Sequence, residues 1–175
     1  MTYEILKGVC DSLITPCEVF DFNNPPFDPE EFAVEIVKLM RDNEGIGLAA
    51  NQLGVPYRIF ALRSDPNKVL FNPRIVMYSD EEEYMEEGCL SFPGVVCKIK
   101  RPKNIRIRYM QANQETKTDM FSGLTSRICQ HEMDHLDGII FYNRATRYHR
   151  EQALKKYAEM QIRIPQEDYV YISQT

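Results

Sequence analysis

Apolar and polar positions follow two rhythms along this chain. From residue 29 to 42, Phe32, Ala33, Ile36, Val37, Leu39 and Met40 recur at the three-to-four spacing of one helical face. Asp28 stands at the capping position, Pro29 fits the first helical position, and Glu31 completes a capping-box spacing. Gly45 follows, so the helix is predicted to end near Asn43. A second helical stretch runs from Gly123 to Gly138, apolar at Leu124, Ile128 and Leu136. Between the two helices lie short β-like runs at 57–62, 68–73, 74–79, 95–100, 104–110 and 116–122, several alternating as half-buried strands do. The acidic run 81–87 reads as a charged strand edge. Residues 45–54, GIGLAANQLG, are too glycine-rich and compact for a regular element. Residues 1–27 read as an irregular arm. A short polar helix from about Arg150 to Met160 is predicted within a C-terminal helix and tail, 147–175. There are no repeats and no linker. The pattern predicts an α+β fold: one domain over residues 1–175, mostly antiparallel strands packed around a central helix.

Composition narrows the function classes. At 175 residues, with 43% hydrophobic and 27% charged residues, the chain can bury one ordinary globular core. A net charge of -5 argues against nonspecific nucleic-acid binding, which rests on excess Lys and Arg. The basic run KIKRPKNIRIR (98–108) does not change this. Ile99, Ile105 and Ile107 alternate with its charges, as on a strand with a solvated face. The N-terminus has no apolar signal-peptide core, and no run approaches the length of a membrane-spanning helix. Five cysteines in no regular framework point to a reducing compartment. Cys10, Cys17, Cys97 and Cys129 read as packing residues, and His149 as a surface histidine.

The sharpest chemical signal is QHEMDHLDG (130–138). On a helix, His131 and His135 lie on one face a turn apart, so two imidazoles converge on one ion. Glu132 projects beside such an ion and suits a base that handles an activated water. A third protein ligand is needed. A three-histidine site would need a histidine at position 141, which is Phe. Glu151 and Glu159 are candidates on the polar C-terminal stretch. Cys89 is another, within EEGCLSFPG (86–94), where Gly88 and Pro93-Gly94 suggest a tight, shaped loop.

GIGLAANQ, EGCLS and QHEMDHLDG, in this order and at these separations, resemble the peptide deformylase family. The resemblance spans roughly residues 28–145 and includes Gly123, Leu124 and Arg127. It implies a metal-dependent hydrolase that removes the N-formyl group from the initiator methionine of new polypeptides, releasing formate. It makes Cys89 the third metal ligand with His131 and His135, leaving the fourth position to water or substrate. An activated water would attack the formyl carbon, with Glu132 as general base and then acid. Gln52 and the backbone N–H of Leu90 would stabilise the developing oxyanion. Gly47 and Gly88 would meet substrate backbone, and Ile46 and Ile128 would line the methionine pocket. Glu87 and Arg101 would pair and steady the Cys89 loop. Asp134 either orients a ligand histidine or is solvated.

The resemblance implies Fe²⁺ as native metal, with Zn²⁺, Ni²⁺ or Co²⁺ as alternatives. Its partners would be N-formylmethionyl nascent peptides, with a transient ribosome contact as a further implication and with no membrane or specific nucleic acid. The protein is expected to be a monomer in the cytoplasm, bacterial or, if virus-encoded, of the host. Two departures stand out. Cys10 replaces a family proline in CDSL (10–13), and the stretch 147–160 is short and mixed in charge. Two other readings remain. One is a metallopeptidase with Glu159 as distal ligand. The other is a non-enzymatic metal-storing or peptide-binding relative, against which Glu132 and Gln52 speak.

Overall fold

The structure, a computed structural model, describes residues 3–163. In chain order its elements are α1 (Asp11–Ile14), α2 (Pro29–Asp42), β1 (Gly47–Ala49), β2 (Ile59–Leu62), β3 (Lys68–Tyr78) and β4 (Glu82–Cys89). Then follow β5 (Phe92–Pro102), β6 (Asn104–Met110), β7 (Thr116–Ser122), α3 (Gly123–Leu136) and α4 (Arg147–Arg163). Two 3-10 turns, Ala50–Leu53 and Phe141–Arg144, join them. The fold is α+β in one domain, with every ladder between named strands antiparallel.

Local chemistry accounts for the element ends. Asp28 Oδ1 accepts from the N–H groups of Glu30 and Glu31 at 2.8 and 2.9 Å, satisfying orphan donors of the first turn of α2. Phe32, Ile36 and Met40 form the buried stripe of that helix. On β6, Ile105, Ile107 and Tyr109 point inward while Arg106 and Arg108 are exposed, so the period of two holds.

Five strands form one sheet in the order β1-β2-β3-β6-β7, and β4-β5 form a separate two-stranded ribbon. The inner face of the larger sheet packs on α3 through Phe60, Leu62, Leu70, Ile105, Ile107 and Phe121. A second core joins α2 to β1 and β2 and carries interlocked rings, Phe20 against Phe22, Phe27, Tyr57 and Phe71. A third lies between β5, the Phe141 turn and α4, with Leu13 of α1 at its base. Helix α3 is thus enclosed. All eleven residues from Ser126 to Leu136 are buried, polar ones included.

Five local expectations change. Residues 68–73 and 74–79 form one strand, because the ladder absorbs Pro73 at a register shift between Phe71 and Arg74. The glycine-rich stretch 45–54 contains β1 and a 3-10 turn. Its backbone pairs with β2, from Gly47↔Leu62 to Ala49↔Phe60. Cys89 is the last residue of β4 and not part of a free loop, with a register shift at Gly88. Within the arm, Asp11–Ile14 form one helical turn. Helix α4 extends beyond the predicted 150–160 at both ends, and the tail from 164 lies outside the described residues.

Gly138 terminates α3 in the left-handed region, at φ 69. A Cβ there would sit 2.7 Å from the carbonyl oxygen of Ile14. Both the conformation and the close backbone approach require glycine. Gly138→Ala is expected to cost about 2 kcal/mol or more in urea unfolding. A loss under about 0.5 kcal/mol would contradict this turn.

Candidate metal centre

Helix α3, the end of β4 and the Ala50–Leu53 turn converge on one point. Cys89, His131 and His135 are the one group of three or more possible metal-ligating side chains among the described residues, and their donor atoms all lie within 4.8 Å of one another. Cys89 Sγ is 3.1 Å from His135 Nε2. Two bonds of about 2.0–2.3 Å at a tetrahedral angle span roughly 3.5 Å, so a thiolate and two imidazoles here fit a small divalent ion. Glu151 and Glu159 are exposed on α4 and do not join this group.

The donor set opens onto a cleft of about 400 Å³. Every residue expected to meet substrate lines it: Ile46, Gly47, Gln52, Gly88, Leu90, Ile128 and Glu132. Leu124, 58% exposed on the first turn of α3, also lines it and was not singled out from sequence as a contact residue. Gly47 has no room for a side chain. A Cβ would collide with Glu132 Oε1 and lie 2.7 Å from Ile128 Cγ2.

Gln52 is clamped. Its Oε1 accepts from the Ala49 N–H at 2.8 Å, which turns Nε2 toward the site. Nε2 donates to Ser91 Oγ at 3.1 Å and lies 3.5 Å from Cys89 Sγ. The arm ties the two motifs together. Leu6 N–H donates to Gln52 O, Gly8 N–H to Ser91 O, and Lys7 Nζ to Leu90 O. Asn51 Nδ2 donates to His135 O at 2.6 Å, joining the 3-10 turn to the end of α3. Neither the arm nor Asn51 carries a sequence signal for this role.

Behind the donor set lies a buried charge network. Arg101 and Glu87 form a bidentate pair, Nε to Oε1 at 2.6 Å and Nη2 to Oε2 at 2.8 Å. Arg127 Nη1 also donates to Glu87 Oε1, at 2.8 Å. Glu87 Oε2 is 3.0 Å from His131 Nδ1. Asp134 is neither solvated nor bonded to a histidine. It is buried and bonded to Arg101 and Arg144. The carboxylate that orients His131 is Glu87, 44 residues away in sequence, because the α3 face bearing Asp134 turns from the donor set.

Burial opposes charge on Glu87, but hydrogen bonds from Arg101 and His131 overcome it and hold its carboxyl well below the usual range. Burial would lower the pKa of His131, yet its bonds with Cys89 and Glu87 push it up to about 10. Burial, joined by the His131 charge, holds His135 well below its usual value, hence neutral. Burial pushes Glu132 up to about 7, against the pull of His131, so this carboxyl exchanges protons near neutral pH. Its Oε2 has no hydrogen-bond partner among the described residues. Of the other cysteines, Cys17, Cys97 and Cys129 are buried packing residues, and burial raises all three thiols, Cys17 to about 11.

The polypeptide deformylase pattern matches residues 3–151. The chain belongs to that family. Its members are metal-dependent hydrolases, and deformylation of nascent peptides is their known function. The peptide deformylase of Pseudothermotoga lettingae is 37% identical over 135 residues, covering 77% of this chain and 79% of the relative. That of Desulforudis audaxviator is 41% identical, covering 70% and 81%. Among solved structures, the Synechococcus elongatus peptide deformylase in complex with actinonin superposes with a TM-score of 0.82 at 30% identity, covering 89% of this chain and 86% of that one. The class I type b peptide deformylase of Acinetobacter baumannii, bound to Met-Ala-Ser, gives 0.75 at 28% identity, covering 82% and 98%. No helix among the described residues is long and apolar enough to cross a membrane.

Thiol and imidazole donors would bind a metal ion only in their deprotonated forms. Zn²⁺ affinity is therefore expected to rise with pH between 6 and 8, about tenfold per unit for each proton released. Calorimetry in buffers of different ionisation enthalpy counts those protons. A count of zero would contradict proton-coupled binding by this thiol and imidazole donor set.

Proposed function

We propose that this deformylase takes N-formylmethionyl peptides into the cleft above Cys89, His131 and His135 and hydrolyses the formamide bond, releasing formate. The observation that carries this reading is the convergence of three kinds of group on one cleft: the metal-fitting donors, the Glu132 carboxyl and the Gln52 amide. Similar proteins with Met-Ala-Ser or actinonin bound support it.

Cys89, His131 and His135 would hold the ion. When bound, the ion supplies Lewis-acid activation of a water near neutral pH. Glu132 takes the proton of the attacking water and passes it to the leaving amine. Its raised pKa suits both halves of that transfer. Gln52 Nε2 and the Leu90 N–H donate to the formyl oxygen as it gains charge, and the bond from Ala49 keeps Gln52 in that orientation. The backbone at Gly47 and Gly88 pairs with the extended peptide. Ile46 and Ile128, with Leu124 at the rim, take the methionine side chain, and the glycine at 47 leaves Glu132 room beside it.

Fe²⁺ is the native ion in this reading, with Zn²⁺, Ni²⁺ and Co²⁺ as substitutes that the same soft donor set accepts. The enzyme acts as a monomer in the cytoplasm, on chains that have just left synthesis. Any ribosome contact is transient.

The test is formate release from formyl-Met-Ala-Ser by protein prepared without oxygen and loaded with Fe²⁺. Wild type is expected to turn over. Glu132→Ala is expected to lose about 10²–10⁴ in kcat with the ion retained, and Cys89→Ala to lose the ion and the activity. No formate from folded, loaded protein would sink the proposal. Full activity of Cys89→Ala would remove the thiolate from the ligand set.

A further inference from the structure

The charge network does not stop at Arg101. Asp134, whose side chain is 5% exposed, divides its two oxygens between two guanidinium groups. Oδ2 accepts from Arg101 Nη1 at 2.7 Å, and Oδ1 accepts from Arg144 Nε and Nη2 at 3.0 and 2.7 Å. Arg101 uses its other two nitrogens on Glu87, and Glu87 Oε2 meets His131 Nδ1. An unbroken file of short charged contacts thus runs from Arg144 to His131. Arg144 sits in the Phe141–Arg144 turn just beyond α3, and the Phe141 ring of that turn packs at a tilt against the His131 ring, 5.3 Å between centroids.

We propose that Arg144 is a positioning residue for the metal centre, acting through Asp134 and Arg101 on Glu87 and His131. The proposal rests on the reading of Cys89, His131 and His135 as ligands. Its physical basis is competition for one guanidinium. Without Arg144, Asp134 Oδ1 is a buried charge lacking its partner. The nearest remaining donor is Arg101, so Asp134 draws the Arg101 fork toward itself. Glu87 then keeps only the Arg127 contact in full, and His131 loses its fixed orientation. Partners that orient a metal-bound histidine govern affinity for the ion, not only rate. The Arg144 side chain is itself 47% exposed, so its removal opens no core cavity.

Co²⁺ titration of the metal-free protein, followed by visible absorption, tests this without reference to turnover. His131→Ala is expected to abolish tight binding. Arg144→Ala is expected to weaken it roughly tenfold and to alter the ligand-field bands, with partial rescue by Arg144→Lys. If Arg144 works through Asp134, Asp134→Asn combined with Arg144→Ala binds no more weakly than Asp134→Asn alone. Tight wild-type binding that His131→Ala destroys but Arg144→Ala leaves within twofold would overturn the role of Arg144 alone. Additive losses in the double variant would overturn the route through Asp134. Wild-type binding by His131→Ala would overturn the ligand reading, and the role of Arg144 with it.

Discussion

The buried carboxylate of Glu87 is the contact on which the rest of this site depends. It takes a bidentate bond from Arg101 and a third from Arg127, and it meets the imidazole of His131. Each of these groups costs several kcal/mol to remove from water. An apolar core of the same volume would serve stability as well. The arrangement makes sense as positioning. Glu87 stands two residues before Cys89 on β4, Arg101 is on β5, and Arg127 and His131 are on α3. One carboxylate therefore registers the ribbon that carries the thiol against the helix that carries the imidazoles.

The opposite wall is held by neutral hydrogen bonds. The Ala50–Leu53 turn meets α3 through Asn51 and meets the β4–β5 turn through Gln52 and Ser91. The arm crosses behind both, at Leu6 and Gly8. Gln52 has a free choice of two faces for its amide, and the Ala49 N–H makes that choice. Charged and neutral frames together leave one cleft with Glu132 at its floor. Burial lifts that carboxyl toward neutrality while the neighbouring imidazolium pulls it back.

Much of the fold was legible because its signals are local. The Asp28-Pro29 start of α2, the alternation through β6 and the glycine after α3 each lie within a few residues of what they determine. The candidate metal donors His131 and His135 stood out by their spacing, whereas Cys89 was one candidate beside Glu151 and Glu159 until the resemblance to a family singled it out. What escaped was long-range. The runs 68–73 and 74–79 looked like two strands, and only the pairing with β6 shows one strand with a register shift across Pro73. Asp134 sits beside His135 in sequence, yet the helix turns it toward Arg101 and Arg144. Nothing near Glu87 in sequence says that His131 is its partner.

If this frame exists before any ion arrives, the His131 Nδ1–H is held by Glu87 in the metal-free protein. The direct measurement is proton–nitrogen correlation of the imidazole groups in metal-free and Zn²⁺-loaded protein. A slowly exchanging His131 Nδ1–H is expected in both states, and Glu87→Gln is expected to remove or shift it. A signal that appears only after the ion is added, or one that Glu87→Gln leaves untouched, would mean that the ion organises the site and that Glu87 does not.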